Sequence, residues 1–284
     1  MSRAPFPTPF AGTYYPLYNS GPKQYIQPTL DMPFDKVSAL FVAFAHAYAS
    51  GPTSATLQLE QGQPDEPARL GLLVQVARHR NPGIKILISL GWGHDDWTYI
   101  AADYASGSNQ FPRTVVALIR RYELDGFDID DESINGSSGK ITQDQFNGVV
   151  WNLRNALDAA SAADGKPYFL TITPAGGAAE VTGDNMGAFD LINAQCYGWS
   201  YPDDFTKLGY PRRQVAWGIN TEDNPPAYPS QAQYQGLAGI FNWTMSADSV
   251  RNYQYTLQIA RDVGYRRVGA DQPDTPAEQP ALES

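Results

Sequence analysis

Apolar, β-branched runs of strand length recur along the chain, separated by stretches whose apolar residues return every three to four positions. Eight such runs stand out: Phe10 to Pro16, Val37 to Ala45, Lys85 to Gly91, Gly126 to Asp131, Tyr168 to Pro174, Leu191 to Gly198, Gln214 to Asn220 and Leu237 to Met245. Several are apolar almost throughout rather than alternating, as expected of strands covered on both faces. The alternation predicts repeated βα units in a parallel sheet, and eight strands predict closure into a (β/α)8 TIM barrel of the α/β class. No other repeat of fixed period appears, which excludes solenoids and propellers.

The intervening segments carry helix signals. Leu70, Leu73, Val74 and Ala77 share one face of a helix from Pro67 to Arg80, stopped by Asn81-Pro82-Gly83. A second helix is expected from Arg113 to Tyr122. Thr142 and Gln145 form a capping box for a third, running through Asp158. Ser246 or Asp248 is expected to cap a last helix ending near Val263. Residues 271–284 are rich in proline and acid, too polar to pack, and are expected to form a disordered tail after a single barrel domain over 1–270.

One strand differs from the rest. Leu124-Asp125-Gly126-Phe127-Asp128-Ile129-Asp130-Asp131-Glu132 places five carboxylates in an otherwise apolar stretch. Side chains alternate along a strand, so Asp128, Asp130 and Glu132 project from one face. Three inward carboxylates in a medium of low dielectric cannot all ionise, and a shared proton there makes a general acid. Glu132 sits at the rim; Asp128 lies two pleats deeper, about 13 Å away in an extended strand. Two other readings of the row remain: a polar strand end balanced by cations, or a Mg²⁺ or Ca²⁺ site. The calcium-loop pattern fails for want of a glycine at its sixth place. His46, His79 and His94 lack paired zinc spacing and are read as ordinary, so neither a metal nor a cofactor is expected.

The net charge of −10 argues against nucleic acid or an anionic membrane as partner. The 17 tyrosines and 6 tryptophans supply flat amphipathic rings suited to sugar faces. Cys196 is the single cysteine, so no intrachain disulfide is possible, and its apolar run predicts a buried, inert thiol. Met1 to Pro7 lacks the apolar core of a secretion signal, which predicts either an intracellular protein or one secreted after removal of a leader. A monomer is expected.

The acidic strand carries a resemblance. Asp125-Gly126-Phe127-Asp128-Ile129-Asp130-Asp131-Glu132 resembles the Asp-Gly-x-Asp-x-Asp-x-Glu signature of glycoside hydrolase family 18, the chitinases and endo-β-N-acetylglucosaminidases. Lys85 to Gly93 is similar to the family's third-strand Ser-x-Gly-Gly segment, with Trp92 in place of the second glycine. Gln195-Cys196-Tyr197 is similar to the strand that supplies an acetamido pocket, and Trp243 to the tryptophan flooring the subsite of the cleaved sugar. The resemblance implies a retaining, substrate-assisted hydrolase of N-acetylglucosamine-containing oligo- or polysaccharides. Glu132 would be general acid and base, Asp130 would orient the acetamide, Asp128 would hold Asp130 in its working protonation state, and Tyr197 and Gln195 would bond the substrate. Tyr14, Trp92 and Trp199 are expected as rim aromatics on the saccharide; Tyr15, Trp97, Tyr201 and Tyr228 are further loop aromatics of this kind. Trp243 points toward a chitinase, whereas Asp131 and the compact chain point toward an endo-β-N-acetylglucosaminidase acting on the N-glycan core. A chitinase-like lectin is the rival of another class.

Overall fold

Each of the eight expected runs falls on a strand, and the eight close on themselves. The strands are β1 (Phe10–Pro16), β4 (Ala39–Gly51), β6 (Lys85–Gly91), β7 (Gly126–Asp131), β8 (Phe169–Pro174), β9 (Leu191–Ala194), β10 (Val215–Asn220) and β11 (Gly239–Trp243). They pair in that order, every pairing is parallel, and β1 bonds both β4 and β11, so the sheet closes into a (β/α)8 barrel. The structure, a computed structural model, describes residues 3–20, 23–60, 65–91, 94–131, 139–175, 180–198 and 200–267. The acidic tail expected over 271–284 lies outside them.

Alternation along the strands divides the apolar residues into two cores. Phe10, Phe41, Leu87, Phe169, Leu191 and Phe241 point inward and plug the lower barrel, with Phe6 packed edge-on against Phe10 and Phe169 at ring-centroid distances of 5.8 and 5.0 Å. Val42, Ile88, Ile129, Ile172 and Ile219 point outward under the helices. Covering on both faces explains the nearly continuous apolar runs. Closure is tight where β11 meets β1: a Cβ on Gly239 would lie 1.8 Å from the Phe10 carbonyl oxygen, so only glycine fits.

The helical layer is uneven. α1 (Glu66–Arg80) lies between β4 and β6; α2 (Asp96–Ala105) and α3 (Gln110–Arg121) follow β6; α4 (Gln143–Asp164) follows β7. Among the described residues the β1–β4 connection holds only a short hairpin of β2 (Asn19–Ser20) and β3 (Lys23–Gln24) and a 3₁₀ turn at Phe34–Lys36. α5 (Pro202–Thr206) and α6 (Gln231–Tyr234) are equally brief. No described helix is long and apolar enough to cross a membrane.

Three expectations need correction. α4 has the expected capping box of Thr142 and Gln145 but continues to Asp164, where Gly165 ends it in the left-handed conformation. The last helix is two helices, α7 (Met245–Ser249) and α8 (Gln254–Val263), broken where Asn252 and Tyr253 take positive φ. Thr244, not Ser246, caps α7, while Asp248 accepts from the Tyr255 and Thr256 amides and so caps α8 across the break. Finally, β4 runs well past Ala45 and pairs antiparallel with β5 (Ser54–Leu59), a hairpin standing above the barrel that the apolar pattern did not suggest.

Candidate active site

The carboxylate row lies inside the barrel. Parallel register sets Ser89 of β6, Asp128 of β7 and Thr171 of β8 side by side, and one step nearer the mouth sets Gly91, Asp130 and Thr173 side by side. All are inward positions, so both aspartates are buried, Asp128 with no accessible surface and Asp130 with 5%. Glu132 lies outside the described residues, as does the Asp131 side chain.

Asp128 is surrounded by hydroxyls. Ser89 Oγ donates to Oδ2 at 2.7 Å, Tyr14 Oη to the same oxygen at 2.8 Å, and Thr171 Oγ1 to Oδ1 at 2.5 Å. With the phenol proton directed at Asp128, the Thr173 hydroxyl donates to Tyr14 at 2.5 Å and accepts from Asn193 Nδ2 at 3.1 Å. Burial pushes the Asp128 carboxyl above its ordinary value, and the hydroxyls of Thr171, Ser89, Tyr14 and Thr173 pull it back. Burial raises the Tyr14 phenol far above its ordinary value too, reinforced by the charges of Asp128 and Asp130, so it remains a proton donor. Asp128 thus stores negative charge, or a proton, without any cation beside it among the described residues.

Asp130, one step nearer the mouth, meets a different donor. Gln195, immediately after β9, gives its Nε2 protons to Asp130 Oδ1 and to the Thr173 carbonyl, each at 3.2 Å. Its own backbone is fixed by Ser200, whose Oγ accepts from the Gln195 amide at 2.8 Å. Space for Asp130 depends on Gly91: a Cβ there would lie 2.8 Å from the Asp130 carbonyl oxygen and 3.1 Å from the Phe44 ring. This is a physical reason for the first glycine of the Ser-Leu-Gly segment.

A family model, that of the glycosyl hydrolases family 18, matches residues 13–216, more than half of the chain and all of the acidic strand. The chain belongs to that family. It is similar to chitinase A1 of Niallia circulans, with 29% identity over 134 residues covering 43% of this chain and 19% of that protein. Its fold is similar to the family 18 chitinase of Cycas revoluta solved with (GlcNAc)3, with a TM-score of 0.68 and 16% identity over 89% of this chain and 99% of that one. The fold is also similar to a chitinase-like agglutinin of Robinia pseudoacacia, with a TM-score of 0.64 and 17% identity over 89% and 99% of the two chains. The chain spans between 19% and 54% of the length of the curated relatives it matches.

The other candidate positions of this family 18 barrel divide into those the fold gathers and those it does not. Trp243 ends β11 half-buried at the mouth, stacked on Phe44 (5.9 Å, 25°) and tilted over Tyr14 (5.1 Å). Its indole Nε1 donates to Glu222 Oε1 at 3.1 Å, from the loop after β10. Tyr197 sits half-buried in the turn after β9. Trp92 and Trp199 lie outside the described residues. Tyr14 is not a rim aromatic: it belongs to β1, is fully buried inside the barrel, and its hydroxyl serves Asp128. Tyr15 and Trp97 are likewise core residues, and Tyr228 is partly buried, with its hydroxyl on Asp262. Of that set, Tyr201 is exposed. Burial pushes the Cys196 thiol up to about 12, so it is no nucleophile near neutral pH.

Sequence reasoning assigned no role to Ser89, Thr171, Thr173, Asn193, Phe44 or Glu222. The two threonines had a signal: polar residues at alternate positions of a strand otherwise apolar on both faces. Phe44 and Glu222 had none, because each reaches the site through a distant partner.

Proposed function

We propose that the protein is a chitinase-like glycoside hydrolase that cleaves β-1,4-linked N-acetylglucosamine polymers with retention of configuration. The observation that carries this reading is the buried Asp128–Asp130 pair, stacked along one strand of a family 18 barrel, with Glu132 two positions further along the sequence. In ordinary retaining glycosidases a second carboxylate is the nucleophile; substrate-assisted members of this family are exceptions. Here the N-acetyl oxygen of the bound sugar attacks its own anomeric carbon as Glu132 protonates the leaving glycosidic oxygen. Asp130 receives the acetamide N–H and stabilises the positive charge of the oxazolinium ion, a preorganised electrostatic contribution. Gln195 holds Asp130 in place, and Asp128, set in its ring of hydroxyls, tunes the charge beneath it. Glu132 then takes a proton from water, whose oxygen opens the oxazolinium ring. Trp243 offers its face as the floor for the sugar, its edge held by Glu222.

The three-residue ligand named for the Cycas revoluta chitinase supports an N-acetylglucosamine oligomer as ligand here. Asp131 within the motif favours a second reading, an endo-β-N-acetylglucosaminidase on the N-glycan core, and mass spectra of products from chitin oligomers and from a high-mannose glycoprotein separate the two. The central test is Glu132→Gln. Turnover of a chromogenic chitin oligomer is expected to disappear while oligomer binding by calorimetry persists. Unimpaired hydrolysis by the variant, or an inverted anomer in the wild-type product by NMR, overturns the proposal, and binding without any wild-type hydrolysis leaves a lectin.

A further inference from the structure

The hairpin of β4 and β5 stands beyond the barrel, and its chemistry is unlike the core below it. Up to Ala43, β4 directs its odd-numbered residues inward. A register shift between Ala43 and Ala45 then inserts Phe44 as a bulge in the β4–β6 pairing. A bulge reverses which side chains share a face. Beyond it Ala45 and Ala47 join the outer core, while Phe44, His46 and Tyr48 face the mouth. Across the hairpin His46 pairs with Gln58 and Tyr48 with Thr56, which puts a hydroxyl and an amide on the same face; Gln58 Nε2 bonds Thr56 Oγ1 at 2.8 Å.

The rings on this face form a continuous ridge. From Trp243 it passes to Phe44, then to His46 (centroids 6.3 Å), to His94 stacked on His46 (3.8 Å, 22°), and to Tyr48 edge-on to His94 (5.9 Å). The ridge is anchored from below: Asp96, fully buried at the start of α2, lies with Oδ2 3.3 Å from His46 Nδ1 and accepts the Ala47 amide through Oδ1 at 2.5 Å. His46 is buried; His94 and Tyr48 are half-exposed and Gln58 is exposed, so the ridge presents rings and an amide to solvent at its outer end. Burial, with His46 next, holds the His94 imidazole below its ordinary value, which suits close stacking of two rings that would repel as cations.

We infer that the Tyr48–His94–Gln58 face is a distal sugar subsite, extending the cleft along β4 and β5 and gripping units of an amino-sugar chain remote from the cleaved bond. It rests on the proposed hydrolase reading. Flat rings pack against the apolar faces of pyranose units, and amide and hydroxyl groups meet their polar edges. A rigid platform continuous with Trp243 favours one extended chain over separate ligands.

The test compares kcat/KM for a long chitin oligomer with that for a chromogenic disaccharide of N-acetylglucosamine. In Tyr48→Ala and His94→Ala the long-to-short ratio is expected to fall about tenfold, the scale of one lost stacking contact. Gln58→Ala, at an exposed position, is expected to lower the ratio less, and Tyr48→Phe to restore most of it. An unchanged ratio in all three alanine variants, with the wild type active on both substrates, overturns the subsite and leaves the hydrolase reading intact. A wild type inactive on every oligomer overturns both.

Discussion

At the scale of single residues, the site rests on how hydroxyl groups are counted around one carboxylate. Among the described residues Asp128 has no cation beside it; Ser89, Thr171 and Tyr14 donate to it, and Thr173, whose proton goes to Tyr14, lies 3.4 Å from its Oδ1. Hydroxyls rotate, so the groups that donate to a carboxylate can also accept from a carboxylic acid, which allows a proton to come and go in a buried position. Tyr14→Phe removes one donor and leaves the ring packing against Phe41 unchanged. It is expected to raise the Asp128 carboxyl further, because the Tyr14 bond now pulls that value down. Loss of one bond to a charged acceptor is expected to cost about 1.5–3 kcal/mol in denaturant unfolding. The acid limb of the kcat/KM profile is expected to move to higher pH. An unmoved limb shows that Asp128 does not govern the working protonation state. Of this arrangement the period-two acids were legible in the sequence, since alternation is a local rule. Tyr14 was read as a surface ring because nothing local says that β1 faces β7 across a barrel.

Elements place these residues through register. One step along β7 is one step along β6 and β8, so Gly91, Asp130 and Thr173 form one level and Ser89, Asp128 and Thr171 the next. Gly91→Ala tests how closely the levels are spaced. The new methyl would press on the Asp130 backbone and the Phe44 ring, and β7 must shift. Overpacking of this kind costs about 1–3 kcal/mol, and displacement of Asp130 is expected to lower kcat by roughly tenfold to a hundredfold. A normal kcat with reduced stability would show that Asp130 tolerates displacement. Strand positions were readable from apolar runs because burial on both faces writes itself into composition, whereas the β4–β5 hairpin was not. Its outer face mixes aromatic, imidazole and amide groups, and the bulge at Phe44 changes the alternation from which a strand is recognised.

For the whole molecule, the barrel's stability carries a pH dependence from a buried acid away from the row. Glu66, at the start of α1, is 1% exposed, and burial raises its carboxyl from 4.5 to about 7, aided by the charge of Glu60 and opposed by the Glu60 amide, His46 and Arg69. Because the folded value lies above the unfolded one, the unfolded chain releases its proton first as pH rises. The contribution of Glu66 is therefore complete below about 4.5 and is lost as pH climbs through about 7. Glu66→Gln keeps an acceptor for the Glu60 amide, bonded at 2.8 Å, and removes the charge. It is expected to raise stability by about 2 kcal/mol, roughly 4–8 °C in Tm, at about pH 8, and to change little at about pH 4. A Tm difference that does not depend on pH counts against the assignment. By itself the sequence determined the eight strands of the barrel, the parallel class, the acidic face of one strand and, through that motif, the family, because each is written in spacings of a few residues. Only the tertiary structure decided that Tyr14 bonds Asp128, that Glu222 steadies Trp243 and that two histidines 48 positions apart stack, because closing a barrel joins residues by strand order and register, which local spacing does not encode.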